Sequence, residues 1–72
     1  MADRVVFSRA LYLPEAVRAA AQAYGELATF AVDVSDDDVT VDISEPDPEV
    51  ASVLVDEFCN HVLHETVVRL RE

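Results

Sequence analysis

The sequence contains no lysine and no tryptophan, and only one cysteine and one glycine among 72 residues. Each shortage removes a class of function. A phosphate-cradling loop needs several glycines, because the backbone must approach the ligand without Cβ atoms in the way. Gly25 alone cannot build one. The single Cys59 excludes an internal disulfide and the paired thiolates of a zinc finger. Preceded by Phe58 and followed at helical spacing by Val62 and Leu63, it reads as a small buried helix residue. A reactive thiol would need a cation beside it. No apolar run approaches the roughly 20 residues needed to span a bilayer. The start, Met1-Ala2-Asp3-Arg4, shows no basic region followed by a long apolar stretch, so no signal peptide is expected. The expected location is cytoplasmic.

The missing lysines leave five arginines against 15 acidic residues, a formal net charge of −10. Such a surface repels phosphate backbones and anionic lipids, so neither nucleic acid nor a membrane is an expected partner. Two readings of the acidity stand side by side. It is either a compositional habit of a GC-rich or salt-adapted organism, or a surface matched to a basic partner.

What is present is enough for one small domain spanning residues 1–72. Apolar residues make up 51% of the chain. A chain of this size buries only about 60% of the surface it exposes when unfolded, so its core is thin. Arg4 to Ser8 holds Val5, Val6 and Phe7, a β-prone run that predicts a first strand. Tyr12-Leu13-Pro14-Glu15 stops it and starts a helix, since proline at the first helical position loses no hydrogen bond and Glu15 suits the positive end of the dipole. The alanine-rich stretch from Ala16 toward Thr29 places Val17, Ala20, Ala21, Tyr24 and Leu27 on one stripe. Gly25 weakens its last turns, so this helix is expected to end between Gly25 and Ala28. Phe30, Val32 and Val34, then Val39, Val41 and Ile43, alternate with small or polar residues at a period of two. That pattern predicts two strands with one buried face, Thr29 to Val34 and Val39 to Ser44. Ser35-Asp36-Asp37-Asp38 between them is a hairpin loop, and Glu45-Pro46-Asp47-Pro48 a rigid connector.

A long last helix is expected over about Pro48 to Arg71. Its apolar face is read as Ala51, Val55, Phe58, Cys59, Val62, Leu63, Thr66, Val67 and Leu70. The predicted fold class is α+β, a β-α-β-β-α two-layer sandwich with a three-stranded sheet and both helices on one face. Right-handed crossover logic favours the third strand in the centre, as in a ferredoxin-like fold without its last strand. The outer edge of the first strand is then unpaired, and nothing within Val5 to Phe7 blunts it. It would be covered either by an added strand from a partner or by a symmetric copy of the chain.

Chemistry-bearing constellations are thin. The acidic loop Asp33 to Asp38 lacks the glycine and the glutamate of a calcium loop. Glu57, His61 and Glu65 share a helical face, and His61 and His64 lie three apart, but such pairs more often stabilise a helix than hold a metal. Ser8 has no base and orienting group that the sequence identifies. No catalytic residue, metal ligand or cofactor is assigned, and the chain is expected not to be an enzyme.

Two segments nevertheless suggest a family. The run ALYLPEAVRAAAQAYGELATF resembles the start of the HxsD proteins of the His-Xaa-Ser system, where a strand runs through a Tyr-Pro-like turn into an Ala/aromatic helix. Val62-Leu63-His64-Glu65-Thr66-Val67-Val68-Arg69 is similar to that family's C-terminal signature Leu-Leu-Asn-Asp-Tyr-x-Leu-Arg. Leu63, Glu65 and Arg69 match in kind, whereas His64 replaces asparagine and Thr66 replaces tyrosine. The resemblance implies a non-catalytic accessory to peptide modification, docking to a radical SAM enzyme, its precursor peptide, or both. The iron–sulfur cluster and S-adenosylmethionine would belong to that partner. The partner-binding residues expected from the strand edge and the signature are Val5, Phe7, Leu63, His64, Glu65 and Arg69. The alternative function is a homodimeric interaction module unrelated to peptide maturation.

Overall fold

The structure, a computed structural model, describes residues 3–71, so the Met1-Ala2 start of the chain lies outside it. The elements run β1 (Asp3–Ser8), α1 (Pro14–Ala23), β2 (Thr29–Val34), β3 (Asp38–Ser44) and α2 (Ala51–Arg71). The three strands form one sheet in the order β1-β3-β2. Both pairings are antiparallel, with Val5 opposite Val41 and Val32 opposite Val41. The predicted α+β class, the element order and the central third strand are therefore those observed.

Alternation in the strands explains why the sheet has one dry face. Val39, Val41 and Ile43 are buried, while Thr40 and Asp42 between them face outward. The register brings Phe7 and Val34 beside Val39, and Val5 and Val32 beside Val41, on that same face. Val17 and Ala20 of α1 and Leu54, Phe58 and Val62 of α2 join these residues in a single core cluster. Both helices thus lie on one side of the sheet. The other side carries Arg4, Val6, Ser8, Asp33, Asp38, Thr40 and Asp42 and is open.

The ring of Phe58 sits at the centre of the core. It is fully buried and lies 4.9 Å from Phe30, 6.0 Å from Phe7 and 6.2 Å from Tyr24 between ring centroids. One side chain of α2 therefore touches β1, β2 and the end of α1. The small residues Ala16 and Ala20, both buried, face α2 and let the two helices approach closely.

Element boundaries differ from the sequence reading by more than one residue in two places. The first helix stops at Ala23, short of the Gly25–Ala28 window, and the chain continues in turns to Leu27. Tyr24 leaves the helical conformation at φ −100° and ψ 7°, and its ring packs over α2 instead of adding another turn. The last helix begins at Ala51, because Pro48 to Val50 form a turn held by an Asp47 Oδ1 bond from the Glu49 N–H. Its buried stripe is Leu54, Phe58, Val62 and Thr66, a strict four-residue spacing. Leu54 was absent from the expected face. Ala51, Leu63, Val67 and Leu70 were placed on it but are exposed. A helix on a three-stranded sheet buries a narrow stripe, and the broad apolar face exceeds what the sheet can cover. Glu45, at φ 52°, makes the sharp exit from β3 in the left-handed region that costs a side-chain-bearing residue about 1 kcal/mol.

Two substitutions test this core. Phe58→Ala should lower unfolding free energy by about 3–5 kcal/mol in urea titrations, whereas Val53→Ala on the exposed face should change it by less than about 0.5 kcal/mol. Thr66 is buried, and its Oγ1 has no hydrogen-bond partner among the described residues. Thr66→Val, which removes an unsatisfied hydroxyl at nearly constant volume, should stabilise the domain by about 1 kcal/mol.

Candidate partner-binding edge

The backbone of β1 has two sides, and the register identifies which groups face away from the sheet. The Arg9 N–H donates to the Asp37 carbonyl at 2.9 Å, so this pair, in register with β1 and β3, is a hydrogen-bonded one. Hydrogen-bonded pairs alternate along an antiparallel ladder. Phe7, Val5 and Asp3 therefore direct their backbone groups to β3, and Ser8, Val6 and Arg4 direct theirs outward. The carbonyl of Ser8 is engaged by the Leu11 and Tyr12 N–H groups of the following turn. The outward set is then the N–H of Arg4, Val6 and Ser8 with the carbonyls of Arg4 and Val6. The same logic applied to the Ser35 N–H, which donates to Asp38, turns Phe30, Val32 and Val34 toward the other edge.

The two edges differ in what hangs over them. α1 lies against β2, and α2 packs beside α1 with Phe58 reaching both Phe7 of β1 and Phe30 of β2. The Tyr24 ring meets His61 at 5.3 Å and its hydroxyl reaches the Glu57 carbonyl, which marks the α1-facing flank of α2. Leu63, two residues beyond His61, is rotated by about 200° around the helix axis and lies on the opposite flank. Leu63, Val67 and Leu70 on that flank are 49%, 41% and 68% exposed, and Val6 on the strand is 56% exposed. Val5 is half-buried although its cross-strand neighbour Val41 is fully buried, because nothing lies beyond it.

The sequence-derived partner residues fall into different places. Val5 is half-buried on β1, and Leu63 is exposed on the flank of α2 turned away from α1. Phe7 is in the core, with its ring 5.1 Å from Tyr12, and its backbone is paired with β3. Glu65 and Arg69, seven residues beyond Phe58 and Val62, continue the buried side of α2 toward its C-terminus as an i, i+4 pair. Glu65 is 3.6 Å from His61 and 3.4 Å from Arg69. His64 is exposed and its ring is 6.5 Å from that of His61. The six residues do not form one surface. The outward groups at Arg4, Val6 and Ser8 were missed, because alternation in sequence shows side-chain direction without revealing which strand neighbour takes each backbone group.

Electrostatics around the edge are mostly negative. The Arg4 Nε donates to Asp42 Oδ1 at 2.8 Å, and this bond holds the guanidinium above its ordinary pKa. Arg4 is thereby tethered to its cross-strand neighbour. Asp3, Asp38 and Asp56 make no ion pair among the described residues. The Arg9 guanidinium is turned to the Ser35 and Asp36 carbonyls and closes the hairpin loop against β1.

Other groups with chemical potential are dispersed. The Ser8 hydroxyl accepts from the Ala10 N–H in the turn after β1. No group of three or more His, Cys, Asp or Glu among the described residues is arranged to hold a metal ion. The two grooves, beside Gly25–Thr29 with Glu45–Pro48 and beside Ala21–Phe30, are open and shallow. No helix among the described residues is long and apolar enough to cross a membrane. No protein-family model, curated protein or solved structure matches the chain.

Burial first, and then the neighbouring Asp56 carboxylate, push the Cys59 thiol above its ordinary pKa. Its thiolate fraction at neutral pH is accordingly small, and alkylation by iodoacetamide at pH 7.5, about the cellular range, should be slower in the native protein than in urea. Equal rates in the two conditions would show that this thiol is neither sheltered nor shifted.

Proposed function

We propose that this chain is a non-catalytic accessory protein of a peptide-modifying radical SAM system, docking to the maturase, its precursor peptide, or both. The observation that carries the binding role is the unpaired β1 edge, in a domain whose α2 also exposes the apolar flank Leu63, Val67 and Leu70. An open row of backbone donors and acceptors is the form of a strand-accepting site. The resemblance of Ala10 to Phe30 and of Val62 to Arg69 to HxsD proteins supports the choice of partner. In this reading the partner supplies the redox chemistry and this chain supplies position. A cytoplasmic setting, where radical SAM enzymes keep their reduced clusters, goes with the proposal.

The geometry also sorts the signature residues by role. Leu63 lies on the open flank and can meet a partner, whereas Glu65 and Arg69 serve chiefly each other and His61. Surface pairs of this kind contribute about 0.3–0.5 kcal/mol.

Affinity isolation of the tagged protein from its native cell, followed by identification of what is retained, tests the proposal. A radical SAM enzyme or a short precursor peptide should be enriched. Leu63→Asp should remove most of that enrichment with the fold intact by circular dichroism, and Glu65→Ala or Arg69→Ala should change it by less than about twofold. Enrichment of neither class of partner by a monodisperse, folded protein would overturn the assignment.

A further inference from the structure

The binding role rests on an edge whose surroundings constrain what can occupy it. We propose that the occupant of the β1 edge is an extended segment of another protein whose alternate residues are apolar and whose intervening residues are basic. The inference rests on the strand-accepting reading above and adds the chemistry of the segment.

The backbone sets the length and phase. Outward N–H groups at Arg4, Val6 and Ser8 repeat every second residue, so a partner strand of about five to seven residues, roughly 17–24 Å long, would satisfy them. Side chains of such a strand alternate between the two faces of the sheet. Those on the helix side would lie beside the half-buried Val5, on the side to which the Leu63 flank of α2 is turned. That side is apolar, so apolar residues fit. Those on the open side would lie next to Arg4, Val6 and Ser8, beyond which stand Asp38, Thr40 and Asp42 of β3.

Charge determines the second half of the pattern. Arg4 is already tied to Asp42, and Arg9 is turned to the hairpin carbonyls, so neither confronts the added strand as a free cation. Asp38 on the open face, Asp3 at the strand's start and Asp56 on the exposed side of α2 remain without an ion-pair partner among the described residues. The whole chain carries a formal charge of −10, which attracts a cationic segment from a distance and repels an acidic one. A second copy of this chain would bring the same negative charge to the same edge. Its own β1 offers Asp3 and Arg4 and no excess of positive charge. The basic, alternating segment of a different protein is the better complement.

The probe is a fluorescein-labelled peptide of alternating valine and arginine, long enough to span the edge, together with a counterpart carrying glutamate for arginine. Fluorescence anisotropy should show the basic peptide binding at least about tenfold tighter at low salt, with the difference shrinking as ionic strength rises. On binding, the amides of Arg4, Val6 and Ser8 should exchange more slowly by NMR, while those of Phe30, Val32 and Val34 should not change. Val6→Pro, which deletes a central outward N–H, should abolish binding. Leu63→Asp, an exposed change that leaves the core intact, should weaken it at least about tenfold and guards against a folding defect in the proline variant. Equal affinity for the two peptides, protection of the β2 edge instead, or β1-edge protection that rises with protein concentration alone would overturn the inference. The last of these outcomes would identify a second copy as the occupant. Enrichment of a radical SAM partner without binding of the basic peptide would retain the proposed function and remove this edge chemistry. The reverse result would remove the partner class and retain the edge.

Discussion

Everything in this domain converges on the ring of Phe58. A chain of this length has one thin layer of apolar contact between sheet and helices, and Phe58 is the side chain that crosses it. It touches Phe7, Phe30 and Tyr24, and through them β1, β2 and the turn that ends α1. The edge-to-face contacts with Phe7 and Tyr24 add about 0.5–1.5 kcal/mol each beyond the area they bury. The more important consequence is geometric. By anchoring α2 to both edge strands and to the end of α1, Phe58 fixes the rotation of α2 and with it which flank is left exposed.

That placement links stability to function. A four-residue spacing of Leu54, Phe58, Val62 and Thr66 buries one stripe, and the next stripe round the helix, Leu63 with Val67 and Leu70, is left apolar and exposed. With 21 residues, α2 runs about 31 Å, close to the 35 Å long dimension of the molecule and longer than the strands beneath it. A fourth strand beside β1 would pair the outward backbone groups of Arg4 and Val6. This is the physical content of the proposed accessory role, and the acidity of the surface bears on which strands are welcome.

The legibility of these features in the sequence was uneven. Period-two alternation in Thr29–Val34 and Val39–Ser44 is strong because each strand has one wet and one dry face, and both were readable to within a residue. The Pro14 start of α1 was readable for an equally local reason: its fixed φ suits the first helical turn. The end of α1 was not, since Tyr24 breaks off to pack against Phe58 and His61, a tertiary preference that overrides an alanine-rich continuation. Leu54 escaped notice because the apolar residues of α2 cover most of its circumference, and no local rule says which stripe faces a sheet.

By itself, the sequence determined the class of fold, the order of the elements and the strength of the negative charge, because these depend on local periodicity, turn chemistry and composition. It also limited the chemistry: one glycine and one cysteine cannot make a phosphate loop or a disulfide framework. Only the tertiary structure decided where the open surface lies. Strand register turned Arg4, Val6 and Ser8 outward and Phe7 inward, and helix packing left Leu63 exposed on the flank away from α1 while Glu65 and Arg69 paired at the end of the buried side. These are relations between residues far apart in the chain, set by which neighbours compete for the same backbone groups and the same buried space.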